Sequence, residues 1–282
     1  MLQTIVSTED LWALQASGAD LLLLDCGFDL SDPDRGNALY RASHLPGARY
    51  VDLERDLSGV PTGTNGRHPL PDRAAFATTL RRLGLNRDRQ VIAYDASGGI
   101  YAARLWWMLR WLGQRAVAVL DGGQQAWVDA GLPMEHGAQD PAAEGDFTPG
   151  EPLVGAPVTL ADVLANLDAG TLQVIDARDP QRFAGAPHPL DTLSGHIPGA
   201  SNRFYRDNLD SEGRFRAPAE LAADFAVTLA GTSADRAVLQ CGSGVTACHN
   251  ALAMEIAGLH GARLYPGSWS EWTSDPARPV AR

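Results

Sequence analysis

Late in the chain, an apolar strand runs directly into a turn that holds one cysteine and two glycines, in the sequence Ala237-Val238-Leu239-Gln240-Cys241-Gly242-Ser243-Gly244-Val245-Thr246-Ala247. A helix-like pattern follows as far as Ile256. In a strand, glycine turn and helix of this order, the turn N–H groups and the positive end of the helix dipole converge on the cysteine sulfur. Because that geometry favours the thiolate over the thiol, the pattern predicts that Cys241 is a nucleophile.

The alternative for Cys241 is a packing role, since free cysteines are among the most buried side chains. The two glycines favour a nucleophilic role for Cys241, because they allow the backbone to bend around an anion. Cysteine phosphatases need an arginine six positions after the cysteine, and Ala247 stands there. We interpret Cys248 as a packing residue, since its spacing from Cys241 fits neither a Cys-x-x-Cys redox motif nor a usual zinc pattern.

The sequence contains the same plan twice. The segment His44-Leu45-Pro46-Gly47-Ala48 recurs as His196-Ile197-Pro198-Gly199-Ala200, and the same offset separates two helix-capping pairs, Ser7 with Asp10 and Thr159 with Asp162. Each copy has a capped helix, a strand ending in aspartate, the repeated turn and two later strands. The predicted strands are Leu21–Asp25, Gln90–Tyr94 and Ala116–Leu120 in the first copy, and Leu172–Asp176, Ala237–Gln240 and Ala262–Tyr265 in the second.

This alternation of helices and short apolar strands predicts an α/β protein of two tandem domains. Each domain should be a parallel-rich sheet covered by helices on both faces, with the site at the carboxyl ends of the strands. We predict a first domain at 1–137, a linker at 138–156 that is rich in Pro, Gly, Ala and acidic residues, and a second domain at 157–282. The position matching Cys241 in the first copy is Tyr94 or Asp95, depending on a one-residue gap, so the first domain should be catalytically inactive.

Composition excludes several classes of function. The formal net charge of −11 argues against binding nucleic acid or an anionic membrane, because both need a surplus of Lys and Arg. No apolar run approaches the roughly 18 residues needed to span a membrane, and residues 1–10 lack the pattern of a signal peptide. Three cysteines do not form a disulfide framework, so we expect a cytoplasmic protein.

The loop Cys241–Ala247 resembles the active-site loop of the 3-mercaptopyruvate sulfurtransferases, which belong to the rhodanese family of two-domain sulfurtransferases. Thiosulfate-preferring members carry Arg-Lys where this chain has Gly242-Ser243. The resemblance implies two rhodanese-like domains and no cofactor or metal. It also implies a Cys241 persulfide formed from a small anionic donor, 3-mercaptopyruvate, with release of pyruvate. A thiol such as thioredoxin or glutathione, or cyanide, would then accept the sulfur. The alternatives are a thiosulfate sulfurtransferase and a non-catalytic persulfide carrier.

The same resemblance assigns substrate-binding residues. Arg182, the arginine before an aromatic residue, would hold the donor carboxylate, and its alternative is an ion pair with Asp179 or a glutamate. Arg178 is a second candidate, with a structural salt bridge to a nearby aspartate as its alternative. Four residues of the turn would bind substrate beside the nucleophile: Gly242, Gly244, Val245 and Thr246. The family's second arginine is absent from the segment 187–191, so either His188 or an arginine of the first domain replaces it, or the donor carboxylate is held less firmly.

The resemblance further implies a relay that handles the proton of the substrate thiol. Its members would be Ser243 as the hydroxyl, His68 as the histidine and Glu54 as the carboxylate, since a carboxylate orients a histidine and the histidine polarises a hydroxyl. The alternative for His68 is a cap on a proline-rich loop. His44 and His196 lie in the repeated turn of both copies, which favours a shared structural role.

Overall fold

A computed structural model describes residues 1–282 and divides the chain into two compact units. The first unit comprises Met1–Ser58, Pro71–Leu153 and Ser211–Arg214, and the second comprises Gly59–Leu70, Val154–Asp210 and Phe215–Arg282. Residues 59–70 lie within the predicted first domain, whereas their contacts place them in the second unit. The predicted boundaries at 137 and 157 stay predictions.

The first unit contains a five-stranded parallel sheet in the order β1-β5-β4-β2-β3. Its strands are β1 (Ile5–Val6), β2 (Leu21–Asp25), β3 (Arg49–Tyr50), β4 (Gln90–Tyr94) and β5 (Val117–Leu120). Its helices are α1 (Thr8–Ala16), α2 (Arg35–Ala42), α3 (Arg73–Arg82), α4 (Ile100–Trp111) and α5 (Gly123–Asp129). The central strands are buried along most of their length, as expected for a parallel sheet covered on both faces.

The second unit contains a four-stranded parallel sheet in the order β7-β6-β8-β9. Its strands are β6 (Gln173–Asp176), β7 (Ser201–Asn202), β8 (Ala237–Gln240) and β9 (Arg263–Leu264). Its helices are α6 (Leu160–Ala169), α7 (Pro180–Phe183), α8 (Pro218–Leu229), α9 (Thr246–Ile256) and α10 (Ser268–Trp272), with short 3-10 turns at Tyr205–Asn208 and Ala234–Arg236. Two parallel α/β sheets confirm the predicted fold class.

Both predicted helix caps form. The Ser7 hydroxyl accepts the Asp10 N–H at the start of α1, and Thr159 with Asp162 makes a reciprocal capping box at the start of α6. Such a cap satisfies N–H groups that have no partner within the helix, and is worth about 1 kcal/mol. No helix is long and apolar enough to cross a membrane.

The register of the two sheets decides which first-copy residue matches Cys241. Asp25 at the end of β2 pairs with Tyr94, and the corresponding Asp176 at the end of β6 pairs with Gln240. The next residue is therefore Asp95 in the first unit and Cys241 in the second. Helices α4 and α9 then begin at the same distance from this position, so no gap is needed.

Candidate active site

Cys241 directly follows β8, and hydrogen bonds fix its peptide groups on both sides. Its N–H donates to Ser268 Oγ at 3.1 Å, and its carbonyl oxygen accepts the Trp269 N–H at 3.0 Å. The next carbonyl, that of Gly242, accepts the Ser270 N–H at 2.9 Å. The start of α10 thus holds the nucleophile candidate in place. Cys241 is a free cysteine, and only 2% of its surface is exposed.

The turn after Cys241 needs a glycine at position 244. Gly244 has φ +76°, and a Cβ there would overlap the carbonyl oxygen of Pro266. Helix α9 begins two residues later at Thr246, so Val245 is its N-cap. Cys248 lies in the first turn of α9, is fully buried and donates its thiol to the Gly244 carbonyl at 3.4 Å. This placement agrees with the packing role expected for Cys248.

The matching loop of the first unit shows that this turn can bind an anion. The buried carboxylate of Asp95 accepts four backbone N–H groups, those of Ser97 at 2.7 Å and of Gly99, Tyr101 and Ala102 at 2.9 Å. Converging amide dipoles of this kind stabilise negative charge away from water. An anion therefore already occupies, in the first copy, the position that Cys241 takes in the second.

The two loops are not identical in conformation. Gly99 has φ +84°, whereas the matching Val245 has φ −91°. Cys248 occupies the position of one of the residues that donate an N–H group to Asp95 in the first copy. In the second copy, the N–H of Cys248 donates to the Val245 carbonyl at 3.0 Å instead. The second copy therefore presents a different set of free amides to the residue at this position.

The structure brings Ser243 and His68 together within the second unit. The Ser243 hydroxyl lies 2.8 Å from His68 Nδ1, and both side chains are buried. This contact is possible because the segment Gly59–Leu70 packs with the second unit. Glu54, the expected carboxylate of the relay, belongs to the first unit, where its side chain is exposed and its backbone N–H donates to Asp52. Its role stays a prediction.

The two predicted arginines have different surroundings. Arg182 makes two hydrogen bonds to Asp191, at 2.9 and 2.6 Å, rather than to Asp179 or a glutamate, the partners named in its structural alternative. Arg178 is almost fully buried and donates hydrogen bonds to the Asp176 carboxylate. Its guanidinium group also donates to the Gly195 carbonyl and lies over the ring of Trp269. These contacts agree with the structural alternative for Arg178, and they leave Arg182 as the partly exposed member of the pair.

Arg67 is a site residue that the sequence analysis did not name. Its Nη1 donates to the Leu190 carbonyl and its backbone N–H to Ser270 Oγ, both at 3.0 Å. A Cβ built on Gly242 would lie 3.4 Å from Nη2 of Arg67 and 3.4 Å from Nη2 of Arg182. The two guanidinium groups therefore converge on the residue beside Cys241. Its position directly before His68 is the only signal in the sequence that could have indicated it.

His188, one of the expected replacements for the missing arginine, lies in surroundings that disfavour its positive charge. Its Nδ1 accepts the Leu190 N–H at 3.2 Å, and burial together with the nearby Arg182 charge lowers its pKa below the ordinary value of 6.5. Both effects disfavour the charged imidazolium at this position. Burial also lowers the pKa of Arg67, an effect that the charges of Cys241 and Asp191 oppose, and a guanidinium stays protonated in proteins. Arg67 falls in the predicted first domain at 1–137 but in the second compact unit, and its role as the replacement arginine stays a prediction.

Comparison with known proteins shows the family of the chain. The family model for the rhodanese-like domain matches residues 7–130 and 159–275. The chain belongs to the rhodanese family. It is 48% identical over 271 residues to a probable 3-mercaptopyruvate sulfurtransferase of Pseudomonas aeruginosa, covering 95% of each chain. It is 38% identical over 283 residues to a putative thiosulfate sulfurtransferase, SseB, of Mycobacterium tuberculosis, covering 99% of this chain and 97% of the relative.

Among solved structures, SseA of Escherichia coli, described as a 3-mercaptopyruvate sulfotransferase with the rhodanese fold, is similar over 95% of this chain and 99% of its own. The TM-score is 0.80 and the sequence identity is 34%. The family identified from the sequence of the Cys241 loop is therefore confirmed, and this rhodanese chain carries both copies of the domain.

Proposed function

We propose that this rhodanese is a 3-mercaptopyruvate sulfurtransferase with Cys241 as the nucleophile. The observation that carries the proposal is the convergence of Arg67 and Arg182 on Gly242, next to the nucleophile. A small donor whose sulfur meets Cys241 can place a carboxylate on these two guanidinium groups. Planar guanidinium groups suit carboxylates because they donate two parallel hydrogen bonds.

The reaction is a transfer of one sulfur atom. The Cys241 thiolate attacks the donor sulfur, an S–S bond forms, and the carbon–sulfur bond of mercaptopyruvate breaks. The bonding electrons stay on the carbon, which becomes the enolate of pyruvate. The thiol proton of the donor is transferred to this carbon, leaving a Cys241 persulfide and pyruvate. Nucleophilic catalysis of this kind divides a difficult transfer into two easier steps.

Ser243 and His68 handle the proton in this proposal. The 2.8 Å contact between Ser243 Oγ and His68 Nδ1 is within the range for proton transfer. The hydroxyl can accept the donor's thiol proton as it passes its own to the imidazole, and the reverse transfer protonates the enolate. The relay therefore holds the proton close to the carbon that needs it.

The charge balance favours a donor with a single negative charge. Arg178 and Arg182 pair with the carboxylates of Asp176 and Asp191, so Arg67 supplies one further positive charge opposite the Cys241 thiolate. Thiosulfate carries two negative charges close to its sulfur atoms, and Gly242-Ser243 adds no cation beside Cys241. A monocarboxylate donor is therefore bound with less uncompensated charge next to the thiolate.

The second half-reaction returns the enzyme to its thiolate. A small thiol such as glutathione, the cysteine of a thioredoxin, or cyanide attacks the outer sulfur of the persulfide, and Cys241 leaves as the thiolate. The three free cysteines suit a reducing compartment, the cytoplasm.

The test is steady-state kcat/KM for mercaptopyruvate and for thiosulfate, measured with the same acceptor on the wild type and on Cys241→Ser. We expect mercaptopyruvate to be the better donor and Cys241→Ser to be inactive with both. A preference for thiosulfate would establish the thiosulfate alternative. Uptake of a single sulfur without turnover would establish a persulfide carrier.

A further inference from the structure

Ser268 has a backbone conformation that serine rarely adopts. Its φ is +53°, and the only other non-glycine residue of the chain with positive φ is Ala230, at +48°. In this left-handed region the Cβ of an L-residue is crowded by neighbouring backbone, and such strain persists where the surrounding structure imposes it, often at functional sites. Ser268 is fully buried, and its hydroxyl contacts the peptide of Cys241.

The first copy of the fold uses glycine at the matching position. Gly123 has φ +59°, and the residue after it, Gln124, donates its N–H to the Asp95 carbonyl at 3.0 Å, as Trp269 does to the Cys241 carbonyl. A Cβ on Gly123 would overlap the Asp95 carbonyl oxygen. The second copy therefore carries the Ser268 side chain at a position where the first copy has no room for one. The peptide of Cys241 leaves space for this side chain.

The Ser268 hydroxyl has two buried partners. It accepts the Cys241 N–H at 3.1 Å and donates to the Tyr265 carbonyl at 2.9 Å. In the first copy Asp95 is anchored through its own side chain, which accepts four loop amides. A cysteine that must gain and lose a sulfur atom cannot be anchored by its side chain in that way. Its backbone has to be fixed instead.

We propose that Ser268 is a positioning residue for the nucleophile: its hydroxyl holds the Cys241 N–H, and so sets the direction of Sγ, at the expense of a left-handed backbone that glycine would adopt without strain. The proposal rests on the proposed role of Cys241 but not on which donor is used. It explains why the copy with a cysteine carries serine and the copy with an aspartate carries glycine.

The experiment compares Ser268→Ala, Ser268→Gly and the control Ala230→Gly, which relieves the same strain at an exposed helix end. The first readout is single-turnover persulfide formation, followed by mass spectrometry at saturating and subsaturating donor. The second is the rate of Cys241 alkylation by iodoacetamide, which needs no donor. Thermal unfolding gives Tm for each variant.

We expect persulfide formation and alkylation to be about tenfold slower in both Ser268 variants than in the wild type, because misplacing a nucleophile affects the chemical step. The donor concentration that gives half the maximal rate should stay within about twofold of the wild-type value. Ser268→Gly should have the higher Tm of the two, since it alone relieves the strain. Ala230→Gly should keep wild-type rates.

Wild-type rates in either folded Ser268 variant would overturn the proposal. So would activity that follows Tm, with Ser268→Gly restored relative to Ser268→Ala, because that result describes a purely structural residue. If the wild type formed no persulfide with either donor, the proposed function would fail, while the alkylation rates would still decide whether Ser268 positions Cys241.

Discussion

Arg67 and Arg182 lie on the same side of Gly242 but are held differently. Arg182 is bound by the Asp191 carboxylate, whereas the side chain of Arg67 is held by the neutral Leu190 carbonyl. The charge of Arg67 is therefore less compensated by direct contacts. This difference makes Arg67 the stronger candidate for the principal contact to a donor anion.

Replacing Arg67 tests this role. Arg67→Ala should lose a charge-assisted hydrogen bond worth about 1.5–3 kcal/mol, or about 10- to 150-fold in kcat/KM for mercaptopyruvate. Arg67→Lys should recover part of the loss, since an ammonium lacks the bidentate fork. The matched control is Arg236→Ala, which removes an exposed arginine near the start of β8, at the other end of the strand. An Arg67→Ala enzyme with wild-type kcat/KM would remove Arg67 from the site.

Asp191 reduces the positive charge of the site and orients Arg182. Asp191→Asn adds one unit of positive charge and weakens the two hydrogen bonds to Arg182. We expect the ratio of thiosulfate to mercaptopyruvate kcat/KM to rise by about tenfold, because a dianion gains more from the added charge than a monoanion does. Asp168→Asn makes the same charge change on an exposed position of α6 and should leave the ratio unchanged. An unchanged ratio in Asp191→Asn would contradict charge selection by Asp191.

Among the structural elements, the strand–turn–helix unit of the first copy depends on the Asp95 carboxylate. Asp95→Ala leaves four N–H groups without their acceptor, three of them buried, so we expect the free energy of unfolding to fall by about 3–5 kcal/mol. Asp95→Asn keeps an acceptor oxygen and should lose less. Urea unfolding of the three proteins measures the difference, and equal stability of Asp95→Ala and the wild type would show that water replaces the carboxylate.

The strands β2 and β6 both end in aspartate but differ in the charge beside it. Asp176 has Arg178 as a partner, whereas Asp25 is followed by Gly27, whose N–H it accepts. Burial of Asp25 raises its pKa from 3.8 to about 6, although hydrogen bonds from Gly27 and Tyr94 oppose the shift. A buried carboxyl group that has no cation in contact with it resists ionisation.

This raised pKa predicts a pH-dependent stability. Between about pH 4 and 6 the folded state holds a proton that the unfolded state has lost, so the free energy of unfolding falls as pH rises through this window. Above this window, the buried charge of Asp25 lowers the free energy of unfolding by a constant amount of about 2–3 kcal/mol. Asp25→Asn should remove it, so the mutant's stability relative to the wild type should be greater at about pH 7.5 than at about pH 4. Denaturant unfolding at both pH values is the measurement. A relative stability that does not change between them would contradict the raised pKa.

On the scale of the whole molecule, the duplicated fold contains one thiol loop. The position of Cys241 is occupied in the first copy by an aspartate that already satisfies its own loop amides. Treatment with excess donor should therefore add one sulfur atom per chain, seen by intact-mass spectrometry. Cys26→Ser and Cys248→Ser should still gain one sulfur, and Cys241→Ser none. Two sulfur atoms on the wild type would contradict a single site.

The amino-acid sequence determined the duplication, the parallel α/β class, the two caps and the position of the nucleophile loop. Each of these follows from local patterns, since strand and helix periodicity, capping pairs and glycine turns act over a few residues. The Ser243–His68 pair was predicted only from the family resemblance, because 175 positions separate the two residues and no local pattern joins them.

Only the tertiary structure decided which charges and peptide groups surround Cys241. Arg67 enters the site because residues 59–70 pack with the second unit, and Arg182 takes Asp191 as its partner because the segment before the repeated turn folds back on α7. Ser268 reaches the Cys241 N–H because β9 lies beside β8 in the sheet. These contacts join residues far apart in the chain, and their energies depend on burial and distance, which no local pattern of residues specifies.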